Sequence, residues 1–264
     1  MAFDLNNFVI DRIVRGVALS QEDDSVLFSI NQIQNASLNC ASESTDAVDA
    51  MGTPIATFYR AKTAEFSAEN ALFDMNLMAT QLGTSKKVAS ETSKIVAPAM
   101  ETFTVEEGGT YQLKHTPVAA PTEIYAINGD STFGVKYVKE TDASETAFAY
   151  SEADRTITLP TGVAAKTEMF VMYEYETKNA VEVVNSAKNF PVGCKFVMEV
   201  LGCDVCDQTN LIYAYVIFNN AKLSPDFDWS IATDGAHPFS MRAQQDYCDK
   251  EKRLFSIIIP GDEE

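Results

Sequence analysis

Apolar and polar residues alternate with a period of two through most of this chain, and that pattern commits it to β-structure. Between Glu168 and Thr177, Met169, Val171, Tyr173 and Tyr175 fall on one face, and Phe170, Met172, Glu174 and Glu176 on the other. Successive side chains of a strand point to opposite faces, so such a segment can bury one face and solvate the other. Ser25–Ser42 alternates in the same way, with Val26, Phe28 and Ile30 on one face. Thr53–Ala61 is a third strand, with Ile55, Thr57 and Tyr59 alternating against Ala56, Phe58 and Arg60. Phe8–Leu19 is apolar at intervals. Lys195–Leu201 and Asn210–Phe218 read as strands joined by a turn at Cys203–Gln208. Asp226–Ala232 and Phe239–Asp246 read as another pair around Thr233-Asp234-Gly235, and Leu254–Ile259 as a closing strand. Turn chemistry also marks Glu107-Gly108-Gly109-Thr110, Asn128-Gly129 and Glu152–Arg155.

One segment has helical spacing. Ser67 is a candidate N-cap, Glu69 suits the first turn, and Leu72, Met75, Ala79 and Leu82 follow on one stripe. Gly83 is a suitable residue just past the end. Thr84–Pro98 is small and polar and reads as a loop. The fold class predicted is therefore mainly β, a barrel or sandwich with one flanking α-helix at about 67–82. Residues 1–117 and 178–264 form the expected core. Residues 118–177 are either an inserted β subdomain or an elaborated arm of the main sheet.

Charge narrows the function. Asp and Glu total 38 against 20 Lys and Arg, a formal net charge of −18. Charge of that sign repels nucleic acid and anionic membranes. It argues strongly against a DNA-binding module and does not exclude a surface along which DNA slides. The start, Met1-Ala2-Phe3-Asp4-Leu5, lacks the layout of a signal peptide, and no apolar run suits a membrane span. The expectation is a soluble protein made in a cytoplasm.

No catalytic, cofactor or metal site is expected. The chain has no phosphate-binding loop, GxSxG or HExxH. Its two histidines, His115 and His237, are far apart in sequence and read as surface or loop residues. Of five cysteines, Cys203 and Cys206 have the spacing of half a zinc site, but no second ligand pair follows. Together with Cys40, Cys194 and Cys248 they read as reduced and structural. The acidic pairs Asp23-Asp24 and Glu106-Glu107 read as solvated turns. Trp229, the one tryptophan, reads as a partly buried anchor of the core.

Two segments carry family character. The first runs from Asp49-Ala50-Met51-Gly52-Thr53-Pro54 through Tyr59-Arg60-Ala61-Lys62 to Gln81-Leu82-Gly83. The second runs from Val216-Ile217-Phe218-Asn219-Asn220-Ala221-Lys222 through Asp234-Gly235 to Pro238-Phe239-Ser240-Met241-Arg242-Ala243-Gln244-Gln245-Asp246. A strand leading to Lys, a Gly- or Asp-rich turn and a Pro-Phe-Ser strand together resemble the major tail, or tail tube, proteins of long-tailed phages. The resemblance implies a structural virion protein that self-assembles into stacked hexameric rings, with neighbouring strands joined into one inner barrel for genome passage. It implies tape-measure, tail terminator and initiator proteins as partners, and a sheath if the tail contracts. It implies synthesis in the cytoplasm of a bacterial host, location in the virion tail and no cofactor. Gly16–Asp24, Asn39–Asp49 and Thr84–Phe103 are the candidate loops for contact between rings. Glu174, Glu176 and Glu199 are candidates for an acidic lumen wall.

The alternatives are another virion part, such as a capsid decoration or baseplate hub ring protein, and a carbohydrate-binding or adhesin sandwich. The adhesin reading would favour exposed aromatic platforms and a secretion signal.

Overall fold

The structure, a computed structural model, describes residues 7–106, 109–246 and 250–261. Among them the chain is mainly β, with one short helix. In chain order the elements are β1 (Phe8–Ser20), β2 (Val26–Ile30), β3 (Ile33–Val48), β4 (Pro54–Asn70), α1 (Met75–Gln81), β5 (Lys87–Val88), β6 (Ile95–Thr104), β7 (Thr110–Gln112), β8 (Glu123–Ile127) and β9 (Phe133–Lys139). There follow β10 (Ala147–Ser151), β11 (Thr156–Thr158), β12 (Glu168–Thr177), β13 (Val181–Glu182), β14 (Gly193–Asp204), β15 (Asp207–Leu223), β16 (His237–Ala243) and β17 (Ser256–Ile258). The expected turn at Glu107-Gly108, Cys248, and the terminal Asp262–Glu264 lie outside the described residues, as do Met1–Asn6.

The chain forms two compact units. One is built from both ends of the chain, up to Lys86 and again from Val183; the other is Lys87–Glu182. The 118–177 boundary drawn from sequence falls inside the second unit. β6, within the stretch read partly as loop, pairs along its whole length with β12, from Ile95↔Thr177 to Thr104↔Glu168. Pro98 disguised that strand. It is tolerated because β6 ends the strand path of its sheet, where a missing N–H breaks no ladder.

In the first unit the strand order is β2-β1-β14-β15-β16-β4-β3, with β17 added to β15. The core is a set of phenylalanines, Phe28, Phe66, Phe196, Phe218 and Phe239, with Leu77, Leu223, Met198 and Met241 around them. Each of these except Leu77, which comes from α1, sits on the inward phase of its strand's alternation. At Gly16 a side chain would strike the Phe196 ring, since a Cβ there would lie 2.7 Å from Phe196 Cζ. The stretch Ser25–Ser42 is two strands. It breaks between Ile30 and Ile33, where Ala71 N–H donates to Gln32 O at 2.9 Å.

The helix is shorter than its pattern predicts. Ser67 and Glu69 belong to β4, because Ala64, Phe66, Ala68 and Asn70 are buried at period two and pairing with β16 fixes them. Tertiary pairing overrides the helix propensity of Ala and Glu there. The N-cap is Asp74, whose carboxylate accepts from Asn76 N–H at 2.9 Å and Leu77 N–H at 2.7 Å. At the other end Gly83, at φ +66°, and Thr84 donate back to Thr80 O and Ala79 O, closing a Schellman motif.

Asp226–Ala232 is not a strand. Residues 224–236 run without regular structure between β15 and β16. Trp229 lies in this segment, half-buried, with its ring stacked 4.3 Å from that of Phe73.

The second unit has strand order β6-β12-β8-β9-β10-β11-β7 over a core of Leu113, Ile124, Phe148, Ile157, Met169 and Val171. The hairpin expected at Asn128-Gly129 exists as a longer loop, with Asn128 N–H donating to Thr132 O at 2.9 Å and Ser131 taking the left-handed conformation at φ +65°. Glu101 is a buried carboxylate satisfied by three donors: Tyr173 Oη–H, Tyr111 Oη–H at 2.7 Å and Lys114 N–H at 3.1 Å. This network joins β6, β7 and β12. Stacking of Phe103 on Tyr111, at 3.7 Å, reinforces it.

Candidate assembly surface

The most unusual feature of the first unit is sheet edge left unpaired. β4 and β15 each have 17 residues, whereas β16 between them has 7. β16 reaches only Glu65–Asn70 of β4 and Ala221–Leu223 of β15. Beyond it, Pro54–Ala64 of β4 pairs with β3 alone among the described residues. On β15, Asp207–Ala214 pairs among the described residues with β14 alone, and β17 covers only Tyr215, Val216 and Ile217. β1 is similarly open before Gly16, where β2 begins to pair. Such rows of free N–H and C=O groups are templates for another strand.

The distal halves of β3 and β4 form a two-stranded ribbon with no third strand among the described residues. Its turn is set by Asp49, whose carboxylate accepts from Met51 N–H and Thr53 N–H, both at 2.8 Å, with Gly52 at φ +84°. Residues 43–60 are all exposed. They include Met51 (91% exposed), Ile55 (71%), Phe58 (55%) and Tyr59 (72%). The β3 side offers only small or polar partners: Ser44 faces Tyr59 and Thr45 faces Phe58. A ribbon of two strands is marginal in water without a surface to pack on. At its root Ala61 takes φ +48°, and the register slips between Ala41 and Glu43, a bulge that re-aims the ribbon. Beside the bulge, a groove of about 690 Å³ runs between Ala61–Thr63 of β4 and Leu254–Phe255, floored by Arg242 and Ala243.

The three candidate contact loops resolve differently. Asn39–Asp49 is strand β3 and its turn rather than a loop. Gly16–Asp24 is mostly β1, and Thr84–Phe103 contains β5 and most of β6. The signal for the ribbon was present in Ile55, Phe58 and Tyr59, but the missing third strand was not, because it depends on where β16 stops.

The other residues singled out from sequence do not converge. His115 is exposed; its N–H donates to Tyr173 Oη at 3.0 Å and its ring stacks on Tyr175. His237, expected at the surface, is fully buried at the start of β16, because the Pro238 that suggested a turn lies within the strand. Cys194 is buried, and burial raises its thiol to about 11. Cys203 lies near the end of β14, and Cys206 lies in the tight turn between β14 and β15. Asp23 serves its own turn, accepting from Ser25 Oγ at 2.7 Å. No group of three or more His, Cys, Asp or Glu among the described residues could hold a metal ion. No helix among them is long and apolar enough to cross a membrane. Of the acids considered for a lumen wall, Glu199 is buried and tied to Arg15 at 2.6 Å, and Glu176 pairs with Lys94 at 2.9 Å. Glu174 is exposed on β12.

A β unit with open edges and an unsupported apolar ribbon is the architecture of a subunit that completes its sheets with further chains. The YomU/Tube protein family matches residues 8–253, nearly the whole chain, and the chain belongs to that family. This is a phage tail tube protein family, as the two outer thirds of the sequence suggested. Membership makes the chain a structural component of the virion tail. No curated protein matches the sequence.

Proposed function

We propose that the chain assembles into stacked hexameric rings that form the tail tube and give the genome its passage. The observation that supports this most is the unpaired length of β4 and β15 beyond the end of β16. Pairing of these edges with a neighbouring subunit satisfies their backbone groups and builds one continuous barrel around the channel. The 43–60 ribbon is then the element that reaches an adjacent ring, its exposed Ile55, Phe58 and Tyr59 packing on that subunit. Tape-measure, terminator and initiator proteins bound the tube's length and ends, with a sheath if the tail contracts.

Acidity fits the passage of DNA. Six chains at −18 each would place a formal −108 on a ring. A like-charged wall keeps phosphates from adhering, and screening confines the effect to about 8 Å at physiological salt. Electron microscopy of concentrated purified protein tests the proposal. Rings or hollow tubes with sixfold averages support it. A single closed ring that never stacks favours a hub or decoration protein instead.

A further inference from the structure

His237 is a polar side chain sealed inside an aromatic cover. Its imidazole is fully buried, with Phe73 stacked 5.2 Å away and Phe227 at 6.1 Å, and Trp229 stacks in turn on Phe73. Phe227 and Trp229 both belong to the irregular segment 224–236. That segment has no strand or helix of its own, so these ring contacts are a large part of what secures it.

The hydrogen bonding below the cover is incomplete. Gln81 is also fully buried; its amide NH₂ donates to Pro238 O at 3.2 Å, leaving Oε1 to accept from His237 Nε2–H at 2.8 Å. The neutral ring therefore carries its lone pair on Nδ1, and Nδ1 has no partner. Asn70, directly opposite His237 in the β4–β16 register, is also buried. Its NH₂ donates to Leu72 O at 2.6 Å, and its Oδ1 has no partner either. Two acceptors on facing residues thus lack a donor among the described residues, and leaving a buried polar atom unsatisfied is unfavourable. Opening the cover hydrates both, which makes this the natural weak point of the unit.

We propose that His237 is a proton-sensitive latch, its neutral ring holding segment 224–236 closed and its protonated ring releasing that segment while the sheets stay folded. Protonation turns Nδ1 from an acceptor into a donor, so the ring then carries a buried charge and a second N–H that both call for water, beside the acceptor on Asn70. The charged groups around it are few. Asp74, at the cap of α1, favours the proton; Glu65 and Glu69 on β4, and Asp226, Asp228 and Asp234 of the cover itself, are the other carboxylates on the surrounding elements, and Arg242 is the cation on β16. Burial outweighs Asp74 and holds the imidazole below its ordinary value of 6.5. The linkage sign follows. A histidine with a lowered pKa in the closed state stabilises closure fully above 6.5, and that contribution is lost as pH falls toward the lowered value.

The test uses Trp229, the one tryptophan, as reporter in the full-length chain. Its emission and acrylamide quenching are followed from neutral to acid pH beside far-ultraviolet circular dichroism, in wild type, His237→Phe and His115→Asn. The expected result is a red shift and easier quenching below pH 6.5 while the β signal persists, absent in His237→Phe and retained in His115→Asn. Hydrogen exchange of the wild type at the same pH should show protection lost in 224–236 alone, which keeps the test decisive if His237→Phe fails to fold. Trp229 unchanged until the β signal collapses, or an identical transition in His237→Phe, overturns the proposal.

Discussion

The ring of Phe66 on β4 lies 5.9 Å from that of Phe196 on β14, although β15 and β16 stand between the two strands in the sheet. In a flat sheet, three strand spacings would hold them about 14 Å apart. The sheet of the first unit is therefore strongly curled, and Phe66 closes it by touching Phe218 and Phe239 as well, each at 6.0 Å. Phe66→Ala should cost about 3–5 kcal/mol, the usual loss for a buried aromatic replaced by a cavity. Urea denaturation of the two proteins under non-assembling conditions checks this.

The end of α1 depends on a residue without a side chain. Gly83 combines φ +66° with a site where a Cβ would lie 2.3 Å from the backbone of Phe190. Gly83→Ala should lose at least about 1–3 kcal/mol from the conformation alone. Thermal unfolding should show a clear drop, whereas Gly129→Ala, where a Cβ meets nothing within 4 Å, should change little.

In the second unit, the buried Glu101 gathers two phenols, one buried and one half-buried, and a backbone N–H. Glu101→Leu leaves those donors bare, at about 1–3 kcal/mol for each one that stays buried. The same network makes an alkaline limit. Burial first, then the bond to Glu101, raise Tyr111 from 10.0 to about 12, and Tyr173 is raised further for the same reasons. A tyrosine raised in the folded state stabilises the fold fully below 10, and that contribution is lost as pH climbs toward 12. Phenolate absorbance should show late-titrating tyrosines, and Glu101→Leu should bring them down.

How far the sequence could be read depends on where information is local. Period two in Glu168–Thr177 was legible, since burial of one face is written in adjacent residues; Thr53–Ala61 shows the same alternation, although both of its faces are exposed in the single chain. Ala64–Asn70 was not, because Ala and Glu suit a helix, and only pairing with β16, far along the chain, makes it a strand. His237 was misplaced for a related reason. A Pro beside it signals a turn locally, whereas the register with Asn70 buries it. The open edges were invisible, because an edge is the absence of a distant partner.

The exposed ribbon separates assembly from stability. Phe58→Asp and Tyr59→Asp together place charges where both rings face solvent in the single chain, so the fold should shift by only about 0.5 kcal/mol per site. Circular dichroism should match wild type, while sedimentation should show the loss of large particles. A double variant that still forms tubes would mean that the ribbon does not carry the contact between rings.

Sedimentation velocity and electron microscopy of the purified full-length chain, over a range of concentration with salt added to screen its −18 charge, address self-assembly itself. The expected result is a concentration-dependent passage from single chains to hollow tubes of stacked sixfold rings. A chain that remains a single species at every concentration, even with the tail initiator added as a seed, would contradict it.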